Sequence, residues 1–77
     1  MPRLPIVSGR ELIKFFMKEV YEKSSSRGDH VTLVKIIDNK PYLVTIPPYK
    51  DISIGLLIRI IKQSHFSKEE FLQKFRK

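Results

Sequence analysis

Arg27-Gly28-Asp29-His30 is the segment best suited to chemistry. A histidine has a reference pKa of about 6.5, so it can give or take a proton near neutral pH. RNA cleavage by its own 2′-hydroxyl needs such a group, either to remove the hydroxyl proton or to protonate the leaving oxygen. His30 follows a glycine turn at the mouth of an expected strand. That position holds a side chain on a rigid base and leaves it reachable. The same residues also describe an ordinary surface histidine at a strand edge. Arg27, Lys35, Lys40 and Lys50 surround the expected sheet and its loops. Such cations can hold phosphate and offset developing charge, and they can equally be plain solvated lysines. Tyr49, in a loop after two prolines, is the best placed of the three tyrosines to stack on a base. His65 reads as a helix C-terminal cation or a packing residue rather than a catalyst.

The totals agree with a polyanion partner. Fifteen Lys and Arg face eight acids in 77 residues, a net charge of +7. Scattered cations on one face suffice for RNA, which is read by shape and backbone. An acidic protein partner satisfies the same charge. A chain this short leaves little room for a deep internal active site, so chemistry belongs on a groove or loop. There is no cysteine, which excludes a disulfide scaffold, and two histidines alone do not make a zinc site. No metal or cofactor is expected, and no P-loop or dinucleotide fingerprint is present. Met1-Pro2-Arg3-Leu4-Pro5 lacks the apolar run of a signal peptide. The longest apolar stretch, Ile54 to Ile61, is broken by Gly55 and Arg59 and is too short to span a bilayer. The expectation is a cytoplasmic chain, one domain over residues 1–77, with no membrane role.

The elements that must carry these residues are legible. Ser8-Gly9-Arg10-Glu11 is a capping box, and Val7 with Leu12 has the spacing of a hydrophobic staple. Leu12, Phe16 and Val20 then recur with helical period. This predicts a helix from Gly9 to about Val20. His30 to Ile37 is β-branched and predicts a strand. Asp38-Asn39-Lys40 predicts a turn, and Tyr42 to Ile46 a second strand stopped by Pro47-Pro48. A third strand at Tyr21 to Ser26 is inferred mainly because an isolated hairpin is marginal. A helix from about Ile54 to Ser64 presents Leu57, Ile58 and Ile61, with Ile54 a turn earlier. Ser67-Lys68-Glu69-Glu70 caps a last short helix. The expected class is α+β: a three-stranded antiparallel sheet with helices packed on one face and the other face free.

Taken in order, these segments resemble a known family. Leu4-Pro5-Ile6-Val7-Ser8-Gly9-Arg10-Glu11-Leu12 resembles the opening of the HicA-type (YcfA-like) mRNA interferase toxins. Gly28-Asp29-His30 aligns with that family's Gly-Ser-His motif, and Val44-Thr45-Ile46-Pro47 with its strand ending in proline. Gly55-Leu56-Leu57 resembles its Gly-Thr-Leu helix. Phe66-Ser67-Lys68-Glu69-Glu70-Phe71 resembles its closing helix. The resemblance covers nearly the whole chain. It implies a dsRBD-like fold, metal-independent endoribonuclease cleavage of mRNA, and His30 as the catalytic residue. The RNA contacts expected from the residues themselves are Arg27, Gly28, Lys35, Lys40, Tyr49 and Lys50. The resemblance also implies a HicB-type antitoxin that covers the active site. Three positions depart from the pattern. Asp29 stands in place of Ser, Tyr49 in place of a second His, and Ile54 in place of Pro. The first two motivate an alternative, a non-catalytic RNA-binding module of the same fold. A third possibility is a basic face that mainly docks an acidic protein.

Overall fold

The structure is a computed structural model that describes residues 4–75; Met1-Pro2-Arg3 lies outside them. The element order is α1 (Gly9–Lys18), β1 (Glu22–Arg27), β2 (His30–Ile37), β3 (Lys40–Ile46), α2 (Ile54–Gln63) and α3 (Lys68–Phe75). The strands form one antiparallel sheet in the order β1-β2-β3. The fold is α+β and dsRBD-like, as expected.

Both capping boxes form. Ser8 Oγ accepts from the Glu11 N–H, and the Glu11 carboxylate accepts from the Ser8 N–H at 2.9 Å. Ser67 and Glu70 repeat this at α3. The staple residues Val7, Leu12, Phe66 and Phe71 are all buried. Ser53 caps α2 through the Leu56 N–H.

Helix α1 stops at Lys18 rather than near Val20. Val20 sits at φ 70°, a left-handed conformation that ends the helix and is costly for a β-branched residue. The first strand is Glu22–Arg27, one residue later than expected, and every residue of it is exposed. Its register slips between Lys23 and Ser25. A bulge there breaks the alternation that would announce a strand. Strand β3 begins at Lys40, not Tyr42. The turn is the two-residue pair Asp38-Asn39, both at positive φ, which suits the right-handed twist of the flanking strands. Pro41 is tolerated because β3 is an edge strand. On α2 the buried residues are Leu57, Ile60 and Ile61. Ile54 is exposed and Ile58 half-buried, so the core stripe is displaced from the expected one.

Leu33 and Val44 face each other in register and are fully buried under the helices. Alternation then sends His30, Thr32, Thr45 and Leu43 to the opposite, open face. Thr32 and Thr45 touch there, hydroxyl to hydroxyl at 3.3 Å.

The start of α1 is pinned to the loop after β3. The Gly9 N–H donates to the Tyr49 carbonyl at 2.8 Å, and the Ile52 N–H donates to Val7 at 2.8 Å. A Cβ on Gly9 would stand 2.0 Å from the Pro47 carbonyl oxygen. Gly9→Ala should therefore lower stability by about 1–3 kcal/mol or more, the cost of overpacking against unyielding backbone. Urea denaturation followed by circular dichroism checks this; an unchanged midpoint would show that the loop yields.

Candidate functional site

The turn between β1 and β2 sets the site. Arg27 and His30 are cross-strand partners, joined by Gly28-Asp29. Gly28 has φ 60°, which glycine adopts without cost, while Asp29 stays at negative φ. Paired residues share a face, so the Arg27 guanidinium and the His30 imidazole both rise from the open side of the sheet. They line one shallow groove with Ser25, Ser26, Thr32 and Thr45. His30 is exposed. The groove thus joins a proton carrier, a fixed cation and a row of hydroxyls. Those are the groups needed to hold a phosphodiester and move a proton beside it.

The other residues singled out by the sequence lie elsewhere. Lys35 is turned to the helical side, where its ammonium donates to the Glu19 carbonyl at 2.9 Å. It satisfies the C-terminal end of α1 and lies 6.0 Å from the Tyr21 ring centroid. It shares no surface with His30. Lys40 pairs with Ile37 at the far end of β2. At about 3.4 Å per residue this puts it roughly 24 Å along the strand from His30. Tyr49 and Lys50 line a different groove, against α1, together with Asp29 and Lys23. Asp29, though next to His30 in sequence, belongs to that second groove. Only Arg27 and Gly28 are brought beside His30. The hydroxyls of Ser25, Thr32 and Thr45 went unnoticed in the sequence. Period-two alternation from His30 identifies Thr32, but Thr45 and Ser25 need the register.

His65 is a packing residue. Its ring stacks on Tyr21 and lies 4.0 Å from the Phe66 centroid. The Tyr21 hydroxyl meets His65 Nδ1 at 3.0 Å and accepts from the His65 backbone N–H at 3.3 Å. Burial, then the nearby Lys35 ammonium, hold the imidazole below its ordinary 6.5. It therefore acts as a neutral ring, not as a helix-end cation. A lowered histidine pKa means that the unfolded chain takes up the proton first as pH falls. The stabilisation is present above about 6.5 and is lost as pH drops from there through the folded-state value. Denaturation midpoints should fall between pH 7.5 and 5.5, and His65→Gln should flatten that slope. Equal slopes for the two proteins would remove His65 as the cause.

Two of these features, the capped α1 and the Gly-Asp-His turn, stood out in the sequence as family traits. A family model described as HicA toxin of bacterial toxin-antitoxin matches residues 9–66. The chain belongs to this family. The match runs from the first residue of α1 to the junction before α3, and so includes His30 and its groove. No curated protein and no solved structure matches the chain. A HicA toxin is one half of a toxin–antitoxin pair, so an antitoxin partner follows from membership. Among the described residues, no helix is long and apolar enough to cross a membrane.

Proposed function

We propose that this toxin is an endoribonuclease of mRNA, acting as one cytoplasmic domain, with His30 as general acid or base. The observation that supports it best is the pairing of His30 with Arg27 on an open sheet face. A phosphodiester lying on Arg27 brings its sugar over the imidazole. The 2′-oxygen then forms a bond to phosphorus while the bond to the 5′-oxygen breaks. The 2′-hydroxyl proton passes to a base, and a proton is delivered to the departing 5′-oxygen. His30 serves one of these transfers directly. Arg27 stabilises the charge that builds on the phosphoryl oxygens. Thr32 and Thr45 offer hydrogen bonds to the flanking backbone. The nucleophile comes from the substrate, so the scheme calls for neither metal nor cofactor.

The products are a 2′,3′-cyclic phosphate and a 5′-hydroxyl. Incubating the protein with an mRNA transcript in excess EDTA, followed by end-group analysis, tests this. Cleavage that persists in the chelator and leaves those ends is expected. Intact RNA that is nonetheless bound would instead favour the non-catalytic RNA-binding module, and 5′-phosphate ends would indicate a hydrolytic nuclease.

A further inference from the structure

Cleavage at His30 uses one face of the sheet and leaves a second groove on the other. This groove has a volume of about 840 Å³ and runs between α1 and the β1–β2 end of the sheet. That is within the range of ligand-binding clefts. Its floor is apolar, with Ile13 and Met17 one helical turn apart on α1. Tyr49 lines the wall as its one aromatic ring and is 52% exposed. Three lysines reach the groove from three elements: Lys14 from α1, Lys23 from β1 and Lys50 from the loop after β3. Asp29 is the single acid among the lining residues. Among the described residues the one ion pair is Lys74 with Glu19, so neither these lysines nor Asp29 is neutralised within the chain. Asp29 directly precedes His30 in the turn that joins the two faces. A Cβ on Gly28 would meet nothing within 4 Å, so the tip of that turn is bare and a nucleic-acid strand can pass over it.

We propose that this groove is a base-reading subsite: it takes one unpaired nucleotide next to the bond held at His30, and it prefers guanine. The inference rests on RNA being the substrate, as proposed above, and not on His30 being the catalyst. Unpaired bases are read by stacking on an aromatic ring and by hydrogen bonds to the Watson–Crick edge. Tyr49 supplies the ring, and the three lysines hold the phosphates on either side. Those groups alone would take any base. Asp29 discriminates. A carboxylate has two acceptor oxygens and no donor. Guanine presents two neighbouring donors on that edge, the N1–H and the N2 amine, and one carboxylate accepts both. Adenine and cytosine offer one amine beside a ring-nitrogen acceptor, and uracil one N–H between two carbonyls. Each of these sets a lone pair against the carboxylate. A lone acid in a cationic groove repels a polyanion, so it lowers affinity for every base except the one it bonds well. Asp29 and Tyr49 both depart from the family pattern, so the preference is this chain's own and not a family trait.

The test uses the full chain and four 2′-O-methyl pentanucleotides, which lack the attacking hydroxyl. Each is uridine throughout except for G, A, C or U at its centre. By fluorescence anisotropy the G-centred one should bind at least about tenfold more tightly than the others, the discrimination of one good bidentate contact. NMR shifts should move at Met17, Asp29 and Tyr49. Asp29→Asn should erase the guanine preference. Tyr49→Leu should weaken all four by about tenfold, the usual loss of one stacked base. Both positions are exposed, and circular dichroism confirms that the variants fold. Equal affinity for the four would overturn the proposal, as would a guanine preference that survives Asp29→Asn or shifts confined to the open face. Binding of none of them would overturn it as well and leave the groove to a protein partner. Cleavage of an unmodified transcript is measured separately. A chain that cuts RNA and binds the four alike fails this proposal alone, and one that reads guanine and cuts nothing fails the ribonuclease reading alone.

Discussion

His30→Ala should abolish growth arrest on expression of the free toxin and slow RNA cleavage by about 10² to 10⁴, the usual cost of losing a general acid or base. Alanine is compatible with the strand end and leaves the Arg27 pairing in place. The imidazole is exposed and packs into no core, so the fold should survive. RNA affinity should change little, because the proposed site assigns the phosphate to Arg27 and not to His30. The combination matters more than either part. A variant that folds, binds RNA and fails to cut it isolates proton transfer from binding. If the variant folded normally and stayed as toxic and as active, His30 would not be the catalyst. Growth curves, a fluorogenic RNA assay and filter binding together decide it.

Phe16→Ala carries the largest expected effect on stability. Phe16 is fully buried at the centre of the core. Its ring meets Phe15 at 5.2 Å and Tyr21 at 5.0 Å, both edge-on. Truncating a buried phenylalanine costs about 3–5 kcal/mol in lost transfer and residual cavity. A chain of 77 residues has roughly 4–12 kcal/mol of stability in total. The variant should therefore sit near its unfolding threshold at 37 °C. Toxicity should fall with it, although no site residue has changed. Thermal unfolding by circular dichroism measures this, and a loss below about 1 kcal/mol would contradict the packing. Comparing it with His30→Ala distinguishes lost chemistry from lost fold.

Local chemistry made much of the fold legible. The capping boxes at Ser8 and Ser67 are satisfied within single turns, so four adjacent residues suffice to announce them. Strand β2 carries its own β-branched pattern and begins at His30 as expected. Strand β1 was obscure for a physical reason. Glu22–Arg27 is a serine-rich edge strand with a bulge and no buried side chain, held by its backbone pairing to β2. The stripe of α2 was misplaced because Ile54, Ile58, Ile60 and Ile61 are alike in type, and only packing selects among them. The site was legible in its centre and not in its surround. Gly28 and His30 belong to one turn. Which cations join them depends on the face each strand residue presents and on register, both tertiary outcomes. Lys35 and Lys40 look equivalent in sequence, yet one caps α1 and the other stands at the far end of the sheet.

Replacing one atom of the substrate tests the central claim most directly. Once a scissile bond is mapped, an RNA is made with 2′-deoxyribose at the nucleotide 5′ to it and ribose everywhere else. If His30 drives attack by the RNA's own 2′-hydroxyl, this RNA should bind as tightly as the unmodified one and remain uncut at that bond. Continued cleavage there, at a comparable rate, would mean that water is the nucleophile, and the role assigned to His30 would be wrong.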